Sequence, residues 1–482
     1  MTRNGSTMSL KTVVVLGGAY GGARAAQLIA AGLPDGWRIV LIDRNSHVNH
    51  VYILPRLAVL AGHEHKAFVP YDNIFNCKQL DLKRHIFLRA HIQSLGPNSV
   101  KLSRAFPEHG IDSDTLHFDY AIYALGSHLP SPLNLWHAAP DGKPSVQSYG
   151  GSKAESIAWL RGKQRAIEDA NSVLVVGGGA LGIQFATDIA AVYPGKPVTL
   201  LHSRTRLLPR FDSEMHTEVL QAMESANINV ILGERLDLVS STSGHSTVRT
   251  TTGRIIHADL VLLCTGQRPN TELLQSLDSR TVNTNTALAQ VLRTMQLALV
   301  PPPPPPSPVT PALLPACAST NEEDVLTAAL AQIALQNESA SSAEEGIEAS
   351  DDEDSPLPTR TSSPSATRAN AFGAIPAGHN AYYQAEVAAR NVLRLVHGKT
   401  DEPLERYTPG PPAIKVSLGL VLWFLPSSRF LPSLSPDTPH KKNVYQVNGV
   451  VGVGKETQDD LNAAAIWGYF GSPVVEEPEM FR

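Results

Sequence analysis

Two glycine clusters have the residue types and spacing for chemistry: Gly17-Gly18-Ala19-Tyr20-Gly21-Gly22 and Gly177-Gly178-Gly179-Ala180-Leu181-Gly182. Each follows a run of apolar strand formers, Val13–Leu16 and Val173–Val176. Glycine there lets the backbone turn tightly and approach a pyrophosphate, while the helix that opens next offers free N–H groups and the positive end of its dipole. One match to this pattern is weak. Two matches, 160 residues apart, imply two dinucleotides on one polypeptide, as in a flavin that takes hydride from a nicotinamide.

At the first cluster, Gly17, Gly18, Ala19, Gly21 and Gly22 form the expected cradle, with Ala19 in the usual second-glycine place. A helix is expected over 23–31 and a second strand over 37–43. That strand ends in Asp43, followed by Arg44, 26 residues after Gly17, where a carboxylate would hold a ribose hydroxyl. At the second cluster Gly177, Gly179 and Gly182 keep the full G-x-G-x-x-G spacing, with a helix expected over 183–191 and a strand over 197–201. That strand runs into His202-Ser203-Arg204-Thr205-Arg206 with no acid. Arg204 and Arg206 could pair with the 2′-phosphate of NADPH, or form only a solvated loop; both readings are open. Strands expected over 116–126 and 258–266 close the two units and bring Ala124, Gly126 and Gly266 to the cofactor edges.

The elements that position these residues imply an α/β fold: two nested Rossmann-like dinucleotide-binding domains plus a small C-terminal α+β domain. The first domain is expected over 9–149, continuing at 271–297 and ending in a helix within 371–398. The second spans 150–270, and the C-terminal domain 399–482, with a last helix over 458–470. Between them, 298–370 contains six consecutive prolines and an acidic run, Glu344–Asp354, a composition that reads as a disordered insertion. A spacer is a better reading of the prolines than a docking motif. One helix is expected inside the insertion, over 321–335.

A chain of 482 residues with net charge −5 is long enough for several cores and carries no basic excess to attract nucleic acid. The N-terminus has no apolar leader, Thr2 is not a myristoylation glycine, and the apolar run 416–425 is about half a membrane span. A cytoplasmic protein is expected, with at most peripheral membrane contact and association with mitochondria as the alternative, its oligomeric state open. Cys77, Cys264 and Cys317 lack any pair spacing, so no dithiol relays electrons and the acceptor must meet the flavin directly. The histidines His47, His50, His63 and His65 fit no metal spacing and read as structural or surface groups.

The two glycine motifs, the closures Tyr123-Ala124-Leu125-Gly126 and Cys264-Thr265-Gly266, and the segment Ala377–Asn391 together resemble the apoptosis-inducing-factor-like flavoproteins. The likeness is to their AMID-like, ferroptosis-suppressor-type branch, and type II NADH:quinone oxidoreductases are similar at a greater distance. Segments 48–57 and 68–71 also resemble that branch. The resemblance implies FAD, oxidation of NAD(P)H, and electron delivery to a small, quinone-like acceptor. It also implies that His379 and Gln384 lie near the flavin ring, although His379 reads equally as a capping or core histidine.

The sequence departs from the family pattern at two places. Gln184 stands where many relatives carry a glutamate that helps hold the nicotinamide. The Gly-Asp pair that precedes A-F-G-A-I in the family falls on Ala366-Thr367, so its aspartate is absent. The second reading of function is therefore a catalytically weak or inactive nucleotide-binding protein that acts through partners.

Overall fold

Val13, Val14, Val15 and Leu16 are all fully buried, on both faces of their strand, because that strand runs through the middle of a parallel sheet. The computed structural model describes residues 10–75, 81–134, 150–237, 247–299, 363–364, 372, 374, 377–419, 442–455, 458–474 and 476–481. In the first sheet, strand Lys11–Leu16 lies between Trp37–Asp43 and Tyr120–Tyr123. His85–Arg89 adds to one edge and Ser363–Pro364 to the other, all in parallel. Helix Tyr20–Gly32 packs against helix Gly378–Val396 over one face, and the antiparallel strands Ile92–Leu95, Ser99–Leu102 and Thr115–His117 lie beneath the other. The chain thus returns to its first sheet after building a second.

The second sheet repeats the plan with strands Asn229–Leu232, Val198–His202, Val173–Val176 and Leu260–Leu263 in that order, again parallel. Helix Ala180–Val192 follows its central strand. Helix Lys153–Asp169 leads into it, started by a capping box in which Ser152 and Glu155 satisfy each other's backbone N–H groups.

Three expectations are corrected in detail. The closing strand expected over 116–126 is broken in two at Asp119, and the one expected over 258–266 is a shorter strand, Leu260–Leu263, that starts just after Asp259. Asp119 Oδ2 accepts the Thr12 N–H at 2.9 Å, and Asp259 Oδ2 accepts the Asn171 N–H at 3.0 Å. Each aspartate therefore pins the start of a central strand. The helix expected over 458–470 is a 3-10 helix over Ala463–Phe470, because Leu461 and Asn462 both take left-handed backbone angles. The C-terminal segment contributes an antiparallel sheet of Ile414–Leu418, Lys442–Val447 and Val450–Gly454, and no α-helix appears among its described residues after Val396. Residues 361–482 form one compact unit with residues 1–300. The proline-rich run, the helix expected over 321–335, Ala366, Thr367, Cys77 and Cys317 lie outside the described residues.

Candidate functional site

The two glycine cradles are built alike. A Cβ on Gly17 (φ +93°) would lie 2.5 Å from the Ala124 carbonyl oxygen, and one on Gly177 (φ +126°) 2.5 Å from that of Cys264. A Cβ on Gly22 would fall 1.8 Å from the Gly17 oxygen, and one on Gly182 1.9 Å from the Gly177 oxygen. Only glycine permits turns this tight. The helices that follow start at Ala19 and Gly179 with no capping side chain and no acid in the first turn, so their N-terminal N–H groups suit a pyrophosphate. A Cβ on Gly179 would meet nothing within 4 Å.

Sheet register makes Asp43 and His202 equivalent. Gly17 N–H donates to Ile42 O and Gly177 N–H to Leu201 O, both at 2.8 Å, so each partner strand ends on the next residue. From there Asp43 Oδ2 accepts the Gly18 N–H at 2.8 Å, and His202 Nδ1 accepts the Gly178 N–H at 3.0 Å. Asp43 also accepts the Tyr71 hydroxyl at 3.1 Å, and the Asn45 N–H and Nδ2 at 2.8 and 3.1 Å. All its acceptor sites are used, so the carboxylate secures the loop and the adjoining turn. Burial lowers the His202 pKa, as does the nearby Arg204 charge, against an opposing backbone interaction at Arg206.

A cavity of about 1040 Å³ joins many of the expected residues. Gly17, Gly18, Ala19, Gly21, Asp43, Arg44, Ala124, Gly126, Gln184 and His379 all line it. Gly22, Gly177, Gly179, Gly182, His202, Arg204 and Gly266 belong to the cradles but not to its wall. Gln384 is also absent from the wall; it is buried, and it sits beside Tyr407. Ser127–His128 pairs antiparallel with Arg268–Pro269, and Asn270 Nδ2 donates to Leu125 O at 2.8 Å, so the turns at Gly126 and Gly266 are joined.

The cavity wall also carries residues that sequence reasoning missed. Tyr52 Oη accepts the Gly378 N–H at 2.6 Å, at the start of the helix that bears His379. The Tyr20 hydroxyl lies 2.9 Å from His50 Nδ1, and its ring meets that of Tyr52 edge-on with centroids 5.5 Å apart. Burial holds His50 down to about 4, so the imidazole is neutral at pH 7. Tyr20 lies within the first cradle, a signal that sequence could have supplied; His50 and Tyr52 stand on the family-like segment 48–57, where His50 read as structural or surface and Tyr52 was given no role. His47 is a buried structural histidine, its pKa pushed to about 3 by burial and its ring bonded to Ser46, Asn49 and Ser156. His65 is likewise buried, stacked on Phe481.

Cys264 is a buried free thiol, its pKa raised to about 12 by burial. Among the described residues no cluster of three or more acids, histidines or cysteines could hold a metal, and no helix is long and apolar enough to cross a membrane.

Comparison with known proteins bears on this geometry. The family model described as pyridine nucleotide-disulphide oxidoreductase matches residues 11–295. The chain is 38% identical over 413 residues to Fe-regulated protein 8 of Mycosarcoma maydis, covering 85% of this chain and 87% of that one. It is 29% identical over 280 residues to ferroptosis suppressor protein 1 of Taeniopygia guttata, covering 55% and 66%. With apoptosis-inducing factor homolog B of Dictyostelium discoideum the identity is 27% over 297 residues, covering 58% and 69%. The fold is similar to that of NDH2 from Plasmodium falciparum in complex with NADH, with a TM-score of 0.55 and 12% identity over 92% of this chain and 91% of that one.

Proposed function

The chain belongs to the pyridine nucleotide-disulphide oxidoreductase family, in its apoptosis-inducing-factor-like branch, and on that premise we propose that it passes electrons from NAD(P)H to a quinone-like or similar small acceptor without a redox disulfide. Its cofactors are FAD and NAD(P)H. The observation that carries this reading is the pair of matched glycine cradles, of which the first opens into the cavity that also reaches Ala180, Leu181 and Gln184 at the start of the helix leaving the second.

In this reading residues 9–149, 271–297 and 371–398 hold FAD. Gly17, Gly18, Ala19, Gly21 and Gly22 bind its pyrophosphate, Asp43 and Arg44 flank its adenosine, and Ala124, Gly126 and His379 border its ring. Residues 150–270 hold the coenzyme through Gly177, Gly179, Gly182, Gln184 and Gly266. FAD, when bound, takes hydride from the nicotinamide and gives electrons to the second acceptor.

The chain's own part is binding, orientation and charge. Helix Gly378–Val396 directs its positive end at the cavity, where it favours negative charge, and the Tyr52 hydroxyl holds its first N–H in place. Gln384, buried one turn further along, supports that helix. Leu181, Phe211, Ile414, Val416, Tyr445 and Leu461 give the same cavity an apolar wall suited to a flat, weakly polar acceptor. Cys264 is too buried and too weakly acidic to relay electrons as a thiolate.

The test is anaerobic. NADH or NADPH should bleach the visible flavin bands of the FAD-loaded protein, and a water-soluble quinone should restore them with no thiol reagent effect. If FAD is held but neither coenzyme bleaches it, the protein is a non-catalytic nucleotide binder.

A further inference from the structure

In the second cradle the position that would normally carry a ribose-binding acid is filled by His202. The register leaves no ambiguity about this, because Gly177 N–H pairs with Leu201 O just as Gly17 N–H pairs with Ile42 O. A carboxylate there accepts the ribose hydroxyls of NADH and repels a 2′-phosphate. His202 does neither. Its Nδ1 is taken by the Gly178 N–H, and its ring fills the corner that a Cβ on Gly178 would enter, at 2.6 Å.

The neighbouring acid offers no substitute. Glu234, whose N–H donates to His202 O at 3.2 Å, accepts from Arg254, Thr250 and Thr252 through its two carboxylate oxygens. The two arginines that follow His202 are also not equivalent. Arg206 Nη2 donates to Pro209 O at 3.3 Å, which turns it back on its own loop. Arg204 is exposed, and its guanidinium has no hydrogen-bond or ion-pair partner among the described residues. Its backbone is nonetheless fixed, because Arg204 O accepts the Gly233 N–H at 3.0 Å.

We propose that this cradle takes the 2′-phosphorylated coenzyme, NADPH, in preference to NADH, and that Arg204 is the residue that reads the phosphate. The inference rests on the assignment of the second cradle to the nicotinamide coenzyme. Guanidinium forms paired, charge-assisted bonds to a phosphate, and the one acid beside His202, Glu234, is already paired with Arg254.

The experiment is equilibrium titration of the FAD-loaded full chain with two fragments that cannot turn over, ADP-ribose and 2′-phospho-ADP-ribose. The phosphorylated fragment should bind about tenfold tighter or more. Arg204→Ala should erase that ratio by weakening only the phosphorylated fragment, Arg206→Ala should keep it, and His202→Asp should reverse it. Equal binding of the two fragments, or equal weakening of both by Arg204→Ala, overturns the proposal while leaving the coenzyme site standing. Binding of neither fragment overturns the site assignment as well.

Discussion

Gly22→Ala is the sharpest test of the cradles. Its Cβ would lie 1.8 Å from the Gly17 carbonyl oxygen, a separation that must open by more than an ångström before any real contact is reached. The obstructing oxygen belongs to the Gly17–Gly18 peptide, whose N–H donates to Asp43 at 2.8 Å, so a retreat of the carbonyl also breaks that bond. Overpacking costs about 1–3 kcal/mol, and a hydrogen bond to a charged group is worth about 1.5–3 kcal/mol. The variant should therefore lose about 3 kcal/mol or more, which lowers Tm by roughly 6 °C or more in a domain of this class. Gly182→Ala meets nearly the same obstruction, at 1.9 Å, but the bond at stake there ends on the neutral His202 ring, so its cost is smaller. Thermal melts and flavin absorbance measure both effects. Gly22→Ala should purify with little FAD, whereas Gly182→Ala should keep its flavin yet resist bleaching by NADPH. The reasoning is refuted if Gly22→Ala keeps full FAD occupancy, or if both variants lose the same cofactor.

Other outcomes follow from the same geometry. Gly179→Val should fold and hold FAD, since its Cβ meets nothing within 4 Å, yet fail to bind the coenzyme; unchanged coenzyme affinity in a titration removes Gly179 from the site. Stability should fall on acidification, because unfolded histidines protonate near pH 6.5 while His47 and His50 stay neutral in the folded protein down to about 3 and about 4. Their contribution is complete above pH 6.5 and is lost below it, by about 2 kcal/mol per histidine between pH 7 and 5, and denaturant melts of His47→Gln should show a shallower decline. Tyr52→Phe removes the acceptor of the Gly378 N–H and should shift the flavin midpoint potential with FAD still bound, as read by spectroelectrochemical titration. Replacing residues 301–360 with a flexible linker of about 20 residues should preserve cooperative unfolding, since residues 1–300 and 361–482 already form one compact unit.

The sequence by itself determined the two cradles, the strands that feed them and the helices that leave them, because glycine spacing and apolar runs are local signals. The strand at 37–43 and the helices at 20–32, 180–192 and 378–396 all lie where that patterning put them, with ends moved by no more than a few residues. Chain direction inside a broken strand was not local. The break at Asp119 and the start of the next closing strand just after Asp259 fall at aspartates that each bind an N–H more than 80 residues away, which no window of neighbouring residues reveals. Only the tertiary structure decided that Asp43 is saturated by Tyr71 and Asn45, that Gln384 faces Tyr407 instead of the cavity, and that Tyr20, His50, Tyr52 and Gly378 form one wall from three segments. It also separated the two arginines that the sequence left equal. Arg206 is folded back on Pro209 while Arg204 stands open beside His202, a difference set by the course of one loop and the register of one sheet.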